Sequence, residues 1–195
     1  RYFQLPGRSP VLATNGMCAT SHPLAAKIAI DTLARGGNAV DAAIAGAVIL
    51  GLCEPQMTGL GGDAFALIKP AGGEDILALN GSGRAAQGSS AQKLRAQGLK
   101  TVPANSAHAV TVPGAVDAFC TLSDRLGKLG MADILGPLIP YFESGVPIAP
   151  RVAFDWALAK ETLQGSARDV YLAQGKPLKT GHQFALPGQA EVLRR

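Results

Sequence analysis

The run from Ala39 to Cys53 constrains this chain more than any other stretch. After Asp41 its side chains are Ala, Ile, Gly, Val, Leu and Cys on every face of a helix. A helix that is apolar all round must be buried all round. The fold must therefore place other elements on several sides of it. The run falls short of the roughly 20 apolar residues that span a bilayer, so it reads as the central helix of a layered domain rather than a membrane segment. Ala43, Gly46, Ala47 and Gly51 are small enough to let a neighbour approach closely.

The flanking residues mark where this helix starts and stops. Pro23 to Arg35 carries Leu24 and Ile28, with Ala25, Ala29 and Leu33, on one face and Lys27, Asp31 and Arg35 on the other, which is an amphipathic helix. Pro23 suits its first turn, and Gly36 suits the left-handed residue that ends it. Asn38 then serves as N-cap of the apolar helix, with Asp41 three residues on completing a capping box. Glu54-Pro55 ends it, because a residue before proline is driven out of the helical region.

Gly59-Leu60-Gly61-Gly62-Asp63 follows, then two strand signals, Ala64 to Ile68 and Asp75 to Asn80, joined by a turn at Gly72-Gly73. Both are mostly apolar, which suits a sheet covered on both faces. Gly81-Ser82-Gly83-Arg84 comes straight off the second strand, and its two glycines permit unusual backbone angles. A glycine-rich loop can also cradle phosphate, but that motif requires Gly-Lys-Ser/Thr entering a helix. Here Gly61-Gly62 meets Asp63 and enters a strand, so nucleotide binding is disfavoured.

These residues together resemble the large subunit of the γ-glutamyltranspeptidase family. The matching text is Ala19-Thr20-Ser21-His22-Pro23-Leu24-Ala25, then Gly36-Gly37-Asn38-Ala39-Val40-Asp41-Ala42-Ala43. Glu54-Pro55, Gly59-Leu60-Gly61-Gly62 and Val112-Pro113-Gly114-Ala115-Val116 follow in the family's order. The resemblance is good from Arg8 to Gly165 and weak over the last thirty or so residues. It implies an N-terminal-nucleophile hydrolase with a four-layer αββα sandwich, of which this chain forms part. It also implies a precursor that cuts itself, and a partner small subunit whose new N-terminal threonine is the nucleophile. The threonine's own α-amino group serves as base, and an acyl-enzyme passes its acyl group to water or to an amine.

Two departures from the family pattern bear on function. No segment here resembles the small subunit's Thr-Thr-His start, so no catalytic residue is assigned in this chain, which by itself is expected to be inactive. Residues 1–195 are expected to form one domain, the N-terminal part of the large subunit. Second, the family's Asp/Asn-x-Arg-Glu-x-Ala-Pro pattern carries an arginine that grips the substrate carboxylate. Aligning Asn80 puts Ser82 at that arginine's place, with Arg84 two residues later. Cephalosporin acylase-like members resemble this variant, which weakens the case for glutathione as substrate.

The candidate substrate-binding residues are thus Arg84 and Ser82, with Asp63 a weaker third. Arg84 has two open readings, a carboxylate clamp or a solvated arginine on a turn. For Asp63, loop capping is favoured over acid–base work. Three readings of function stay open: a γ-glutamyltransferase-like amide hydrolase, a cephalosporin or glutaryl acylase-like amidase, and a non-catalytic domain that keeps the fold.

The rest of the chain supports a single packed domain. It is 195 residues long, 47% hydrophobic and 16% charged, so it can bury a sizeable core and is not disordered. The net charge of +4 comes from basic residues that look scattered apart from Arg194-Arg195, which leaves no nucleic-acid footprint. Cys18, Cys53 and Cys120 show no metal-binding spacing and read as small buried hydrophobes; no metal or cofactor is expected. His108 and His182 read as loop or surface histidines. Arg1 to Asn15 has no apolar signal-peptide core, and the compartment, cytoplasmic or periplasmic, stays open. Val11 to Ala13 and Ala109 to Val112 read as short strands, and Ser89 to Gln97 as a surface helix. Further helices are expected at Ala115 to Arg125, Asp133 to Ser144 and Arg151 to Leu163, the second shortened or kinked by Pro137 and Pro140. Gly127, Gly145 and Gly165 stand just past them as breakers. Phe154 and Trp156 are expected in the core, and the class is α/β or α+β.

Overall fold

A computed structural model describes residues 10–195; Arg8, where the resemblance begins, and most of the stretch read for a signal sequence lie outside them. The chain opens with a helical hairpin, α1 (Pro23–Ala34) and α2 (Ala39–Cys53). The joint is built as the residues dictate. Gly36 takes φ +96°, and the Asn38 side chain accepts hydrogen bonds from the amides of Val40 and Asp41 while Asp41 accepts one from the Asn38 amide.

α2 lies at the centre of the core. α1 packs along one side of it, and elements from the second half of the chain cover others. Ile44, Val48, Ile49 and Leu52 of α2 are buried with Ile134, Leu138 and Phe142. One stripe is not covered: Ala43 is exposed, and Ala47 and Leu50 are half-buried. Burial on every face is therefore not reached within this chain.

β1 (Ala64–Ile68) and β2 (Leu77–Gly81) form an antiparallel hairpin in the register Ala64↔Gly81 to Ile68↔Leu77. Its Ala64, Ala66 and Leu79 face is half-buried against α4 (Ala115–Leu126), and the opposite face leaves Phe65 and Leu67 exposed at 65% and 78%. The expectation of a sheet covered on both faces holds for one face only. Between hairpin and α4 lie α3 (Ala91–Ala96), capped by Ser90, and a 3₁₀ turn at Ala107–Ala109. The strand expected at Ala109 to Val112 is only a single bridge, Ala85↔Thr111. Val11 to Ala13 is irregular as well, with no partner strand among the described residues.

The remaining chain closes the core. The two prolines split the expected 133–144 helix into α5 (Met131–Leu135), a 3₁₀ turn at Gly136–Leu138, and α6 (Ile139–Ser144). β3 (Val146–Pro147), α7 (Pro150–Ala159) and α8 (Ser166–Tyr171) follow. Next come a hairpin of β4 (Leu172–Ala173) and β5 (Lys176–Pro177), then β6 (Gln183–Phe184), antiparallel to β3, and α9 (Pro187–Arg194). Trp156 is buried edge-on to Phe184, with ring centroids 4.9 Å apart. Phe154 is 58% exposed, contrary to expectation, because the face of α7 that turns inward carries Val152 and Trp156. All strand pairs among the described residues are antiparallel, which makes the class α+β. Among the described residues no helix is long and apolar enough to cross a membrane.

Candidate functional site

The site forms where three glycines let backbone segments approach more closely than side chains allow. A Cβ on Gly83 would stand 1.9 Å from the Val112 carbonyl oxygen, and one on Gly114 2.3 Å from that of Gly81. Gly83 also has φ +75°, a conformation that other residues adopt only at a cost. The Val112 amide donates to the Arg84 carbonyl at 2.9 Å. Asn80 Oδ1 accepts from the Ser82 amide, and Thr111 donates its hydroxyl to the Ser82 carbonyl. The Gly-Ser-Gly-Arg segment is therefore a packed joint rather than a free tip.

The glycine loop completes this joint. The Gly62 carbonyl accepts from the amides of both Gly114 and Ala115, which satisfies donors at the start of α4 that have no partner within the helix. No sequence signal announced that contact, because it joins residues about fifty positions apart.

Over the joint opens a cleft of about 660 Å³, lined among others by Asn80, Ser82, Arg84, Val112, Pro113 and Asp117. Arg84 and Ser82 are thus brought together, and Asp117, on the first turn of α4, joins them. Sequence reasoning missed Asp117; an acidic residue three positions after Pro-Gly also reads as ordinary first-turn helix chemistry. Asp63 is exposed and does not line the cleft. Its carboxylate makes no hydrogen bond among the described residues, so the expected loop cap is not formed. Arg84 and Asp117 are both exposed and form no ion pair with each other or with any other described residue. The cleft therefore offers a guanidinium without an ion-pair partner, in the same lining as Asp117, and it can take a carboxylate through two parallel hydrogen bonds.

Asp41 holds the scaffold behind the cleft. It is fully buried, and besides capping α2 it accepts hydrogen bonds from the Lys128 and Leu129 amides at 3.1–3.2 Å. The Asn38 side-chain amide donates to the Leu126 carbonyl. The start of α2 is thereby tied to the end of α4, the helix whose other end carries Asp117. Gly127 must be glycine because a Cβ there would meet Asp41 Oδ1 at 2.9 Å and the Ser123 carbonyl oxygen at 2.5 Å.

The nucleophile candidates outside the cleft are inert or uncommitted. Burial, helped by the neighbouring Glu54 charge, pushes the Cys53 thiol up to about 12, so it carries almost no thiolate near neutrality. Cys18 and Cys120 are half-buried rather than buried. His22 caps α1, its Nδ1 accepting from the Leu24 amide. Burial lowers its pKa, against a smaller upward pull from Glu54. His108 is exposed on the 3₁₀ turn and His182 on a loop, as expected. Among the described residues no group of His, Cys, Asp and Glu could hold a metal.

Comparison with known proteins agrees with the motif reading. A family model described as Gamma-glutamyltranspeptidase matches residues 25–195, and the chain belongs to that family. It is 34% identical to the glutathione hydrolase proenzyme of Bacillus subtilis over 92% of its own length and 32% of that protein's. It is also 34% identical to the oxamate amidohydrolase proenzyme of Klebsiella pneumoniae, over 94% of the chain and 36% of that protein. Among solved structures, the cephalosporin acylase of Bacillus halodurans superposes with TM-score 0.89 at 38% identity, over 99% of this chain and 38% of that one. The γ-glutamyltranspeptidase of Helicobacter pylori gives 0.87 at 28%, over 95% and 55%. The chain spans about a third of the length of these curated relatives.

Proposed function

We propose that this chain, as one domain, is the N-terminal part of the large subunit of an amide-bond hydrolase or acyltransferase that works through an acyl-enzyme. The threonine nucleophile belongs to a small subunit released from the same precursor, and the two subunits complete a four-layer αββα sandwich. Residues 1–195 then supply scaffold and substrate pocket and have no activity of their own. The open outer face of the β1–β2 hairpin and the uncovered stripe of α2 suit such a partner, since apolar patches of this kind mark interfaces.

The observation that carries the reading is the unpaired Arg84 guanidinium in the cleft with Ser82. Arg84 takes the carboxylate of the acyl donor and orients its amide toward the nucleophile. A lysine would give a point charge and no fork. In the complete, matured enzyme Arg84→Ala should raise KM for carboxylate-bearing donors by about ten- to a hundredfold, the worth of a charge-assisted hydrogen bond. Donors with an uncharged acyl chain should be little affected. An unchanged KM for every carboxylate-bearing donor would place the clamp elsewhere.

A second reading is favoured by Ser82 standing where the family pattern has arginine. On it the enzyme is an acylase-like amidase that takes glutaryl-type chains without an α-amino acid head. γ-Glutamyl-p-nitroanilide compared with glutaryl-p-nitroanilide separates the two, and Ser82→Arg should improve the γ-glutamyl substrate. A chain that never matures, with no threonine at a processing junction of its precursor, would be a non-catalytic relative instead.

A further inference from the structure

The chain's net charge is not spread over it. Of its 18 Lys and Arg, four lie between residues 76 and 116, namely Arg84, Lys93, Arg95 and Lys100. That stretch contains no Asp or Glu, so the remaining 14 cations balance the chain's 14 carboxylates. The whole excess of +4 thus sits in residues 76–116, which supply every lining residue of the cleft except Asp117. Basic residues that look scattered along the sequence thus include a field of one sign along the chain, bounded by Asp75 and Asp117.

A second cavity, of about 340 Å³, opens in this field between α3 and the 107–111 stretch. Its wall is the Ala85↔Thr111 bridge, one residue along from the Arg84–Val112 pair that borders the first cleft. Ser89, Lys93, Gln97 and His108 line it, and no carboxylate does. The side chains of these four make no hydrogen bond or ion pair among the described residues. An ammonium, an imidazole, an amide and a hydroxyl thus line one hollow without a side-chain partner in the protein. All four side chains are exposed and can bond to water, and an anion that takes the water's place gains a charge-assisted bond from the ammonium.

We infer that this cavity is an anion site for a carboxylate, separate from the one assigned to Arg84, with Lys93 as its cation and Ser89, Gln97 and His108 as donors. Lys93 is the one permanent cation among the described lining residues, which matches one negative charge. A phosphate dianion would call for a second cation or a guanidinium fork. The position, across one strand-width of backbone from Arg84, suits a carboxylate on the substrate's far side from the clamp. The site itself stands whether or not Arg84 binds substrate.

The test uses the full-length protein with ring-¹³C-labelled histidine, the His108 signal assigned by His108→Gln. Acetate, glutarate and inorganic phosphate are each titrated in, at constant ionic strength. A saturable shift of the His108 signal with acetate or glutarate, absent at His22 and His182, is expected. Lys93→Gln should weaken that binding by about tenfold or more, and Arg84→Ala should leave it unchanged. Lys93 is exposed, so its replacement leaves the fold intact. A His108 shift that never saturates, that Lys93→Gln does not weaken, or that favours phosphate over both carboxylates would overturn the assignment. Loss of the site in Arg84→Ala would overturn its independence from the clamp. A KM unchanged in Arg84→Ala with the His108 titration intact would count against the clamp alone.

Discussion

The α2 helix and the β1–β2 strands are both built from mostly apolar residues, yet the structure treats them differently. In α2, Ile44, Val48, Ile49 and Leu52 are almost fully buried, and the turn that starts it is sealed by Asn38 and Asp41. In the strand hairpin, Phe65 and Leu67 lie open and only the face toward α4 is covered. Inward, at the start of α2, the Asn38 and Asp41 side chains are matched to backbone amides and a carbonyl. Outward, around Arg84 and Lys93, charged groups are left unmatched. Stability and recognition are thus assigned to different hairpins, and α4 joins them, tied at one end to Asp41 and at the other to Gly62.

Substitutions should affect the two regions in different ways. Asp41→Ala should have the largest effect. It removes a buried acceptor shared by the Asn38, Lys128 and Leu129 amides and leaves those donors unsatisfied, at about 1–3 kcal/mol each. A loss of about 3 kcal/mol or more should appear as a lower urea midpoint. A midpoint within experimental error of the native chain's would show that the latch is redundant.

Gly83→Ala comes next. A left-handed backbone costs a non-glycine residue about 1–2 kcal/mol, and the Val112 carbonyl would have to move. The damage should stay local: exchange of the Val112 amide should speed up, with a smaller fall in the urea midpoint than for Asp41→Ala. Equal falls would mean that the two regions unfold as one unit.

Leu67→Ser sharpens the comparison from the other side. In this chain it should change stability by no more than about 0.5 kcal/mol, as at other exposed positions. In the matured two-subunit protein it should be clearly destabilising if the small subunit covers that face. A neutral result in both would leave the hairpin's outer face without a partner.

The smallest effect concerns pH. Burial lowers the folded-state pKa of His22 below its usual 6.5, so as pH falls past that value the unfolded chain takes up the proton first. Stability should be level above about pH 6.5 and decline as pH falls through the folded-state value. His22→Asn, which keeps a cap acceptor and does not titrate, should flatten that part of the urea-midpoint profile. An unchanged profile would locate the pH dependence in other groups.

Much of the helical hairpin could be read directly because its signals are local. Pro23, Gly36, Asn38 and Asp41 act within one helical turn of where they stand, and Glu54-Pro55 ends α2 by a clash between neighbours. The chain's family was legible for a similar reason, since its motifs are short and ordered along the sequence. The second job of Asp41 on the amides of Lys128 and Leu129, the interlocking of Gly81, Gly83 and Gly114, and the double acceptance by Gly62 join residues far apart in sequence. Backbone amides look alike at every position, so no residue type announces such a contact. The same reason explains the strand expected at Ala109 to Val112: its sequence is compatible with pairing, but only Ala85 lies where a partner strand would have to run. Phe154 and Trp156 are two residues apart on one helix, and their sequence could not say which would face inward; the position of Phe184 decided it. Local sequence determined where most elements begin and end, whereas tertiary packing decided which faces close, which stay open, and which residues line the two cavities.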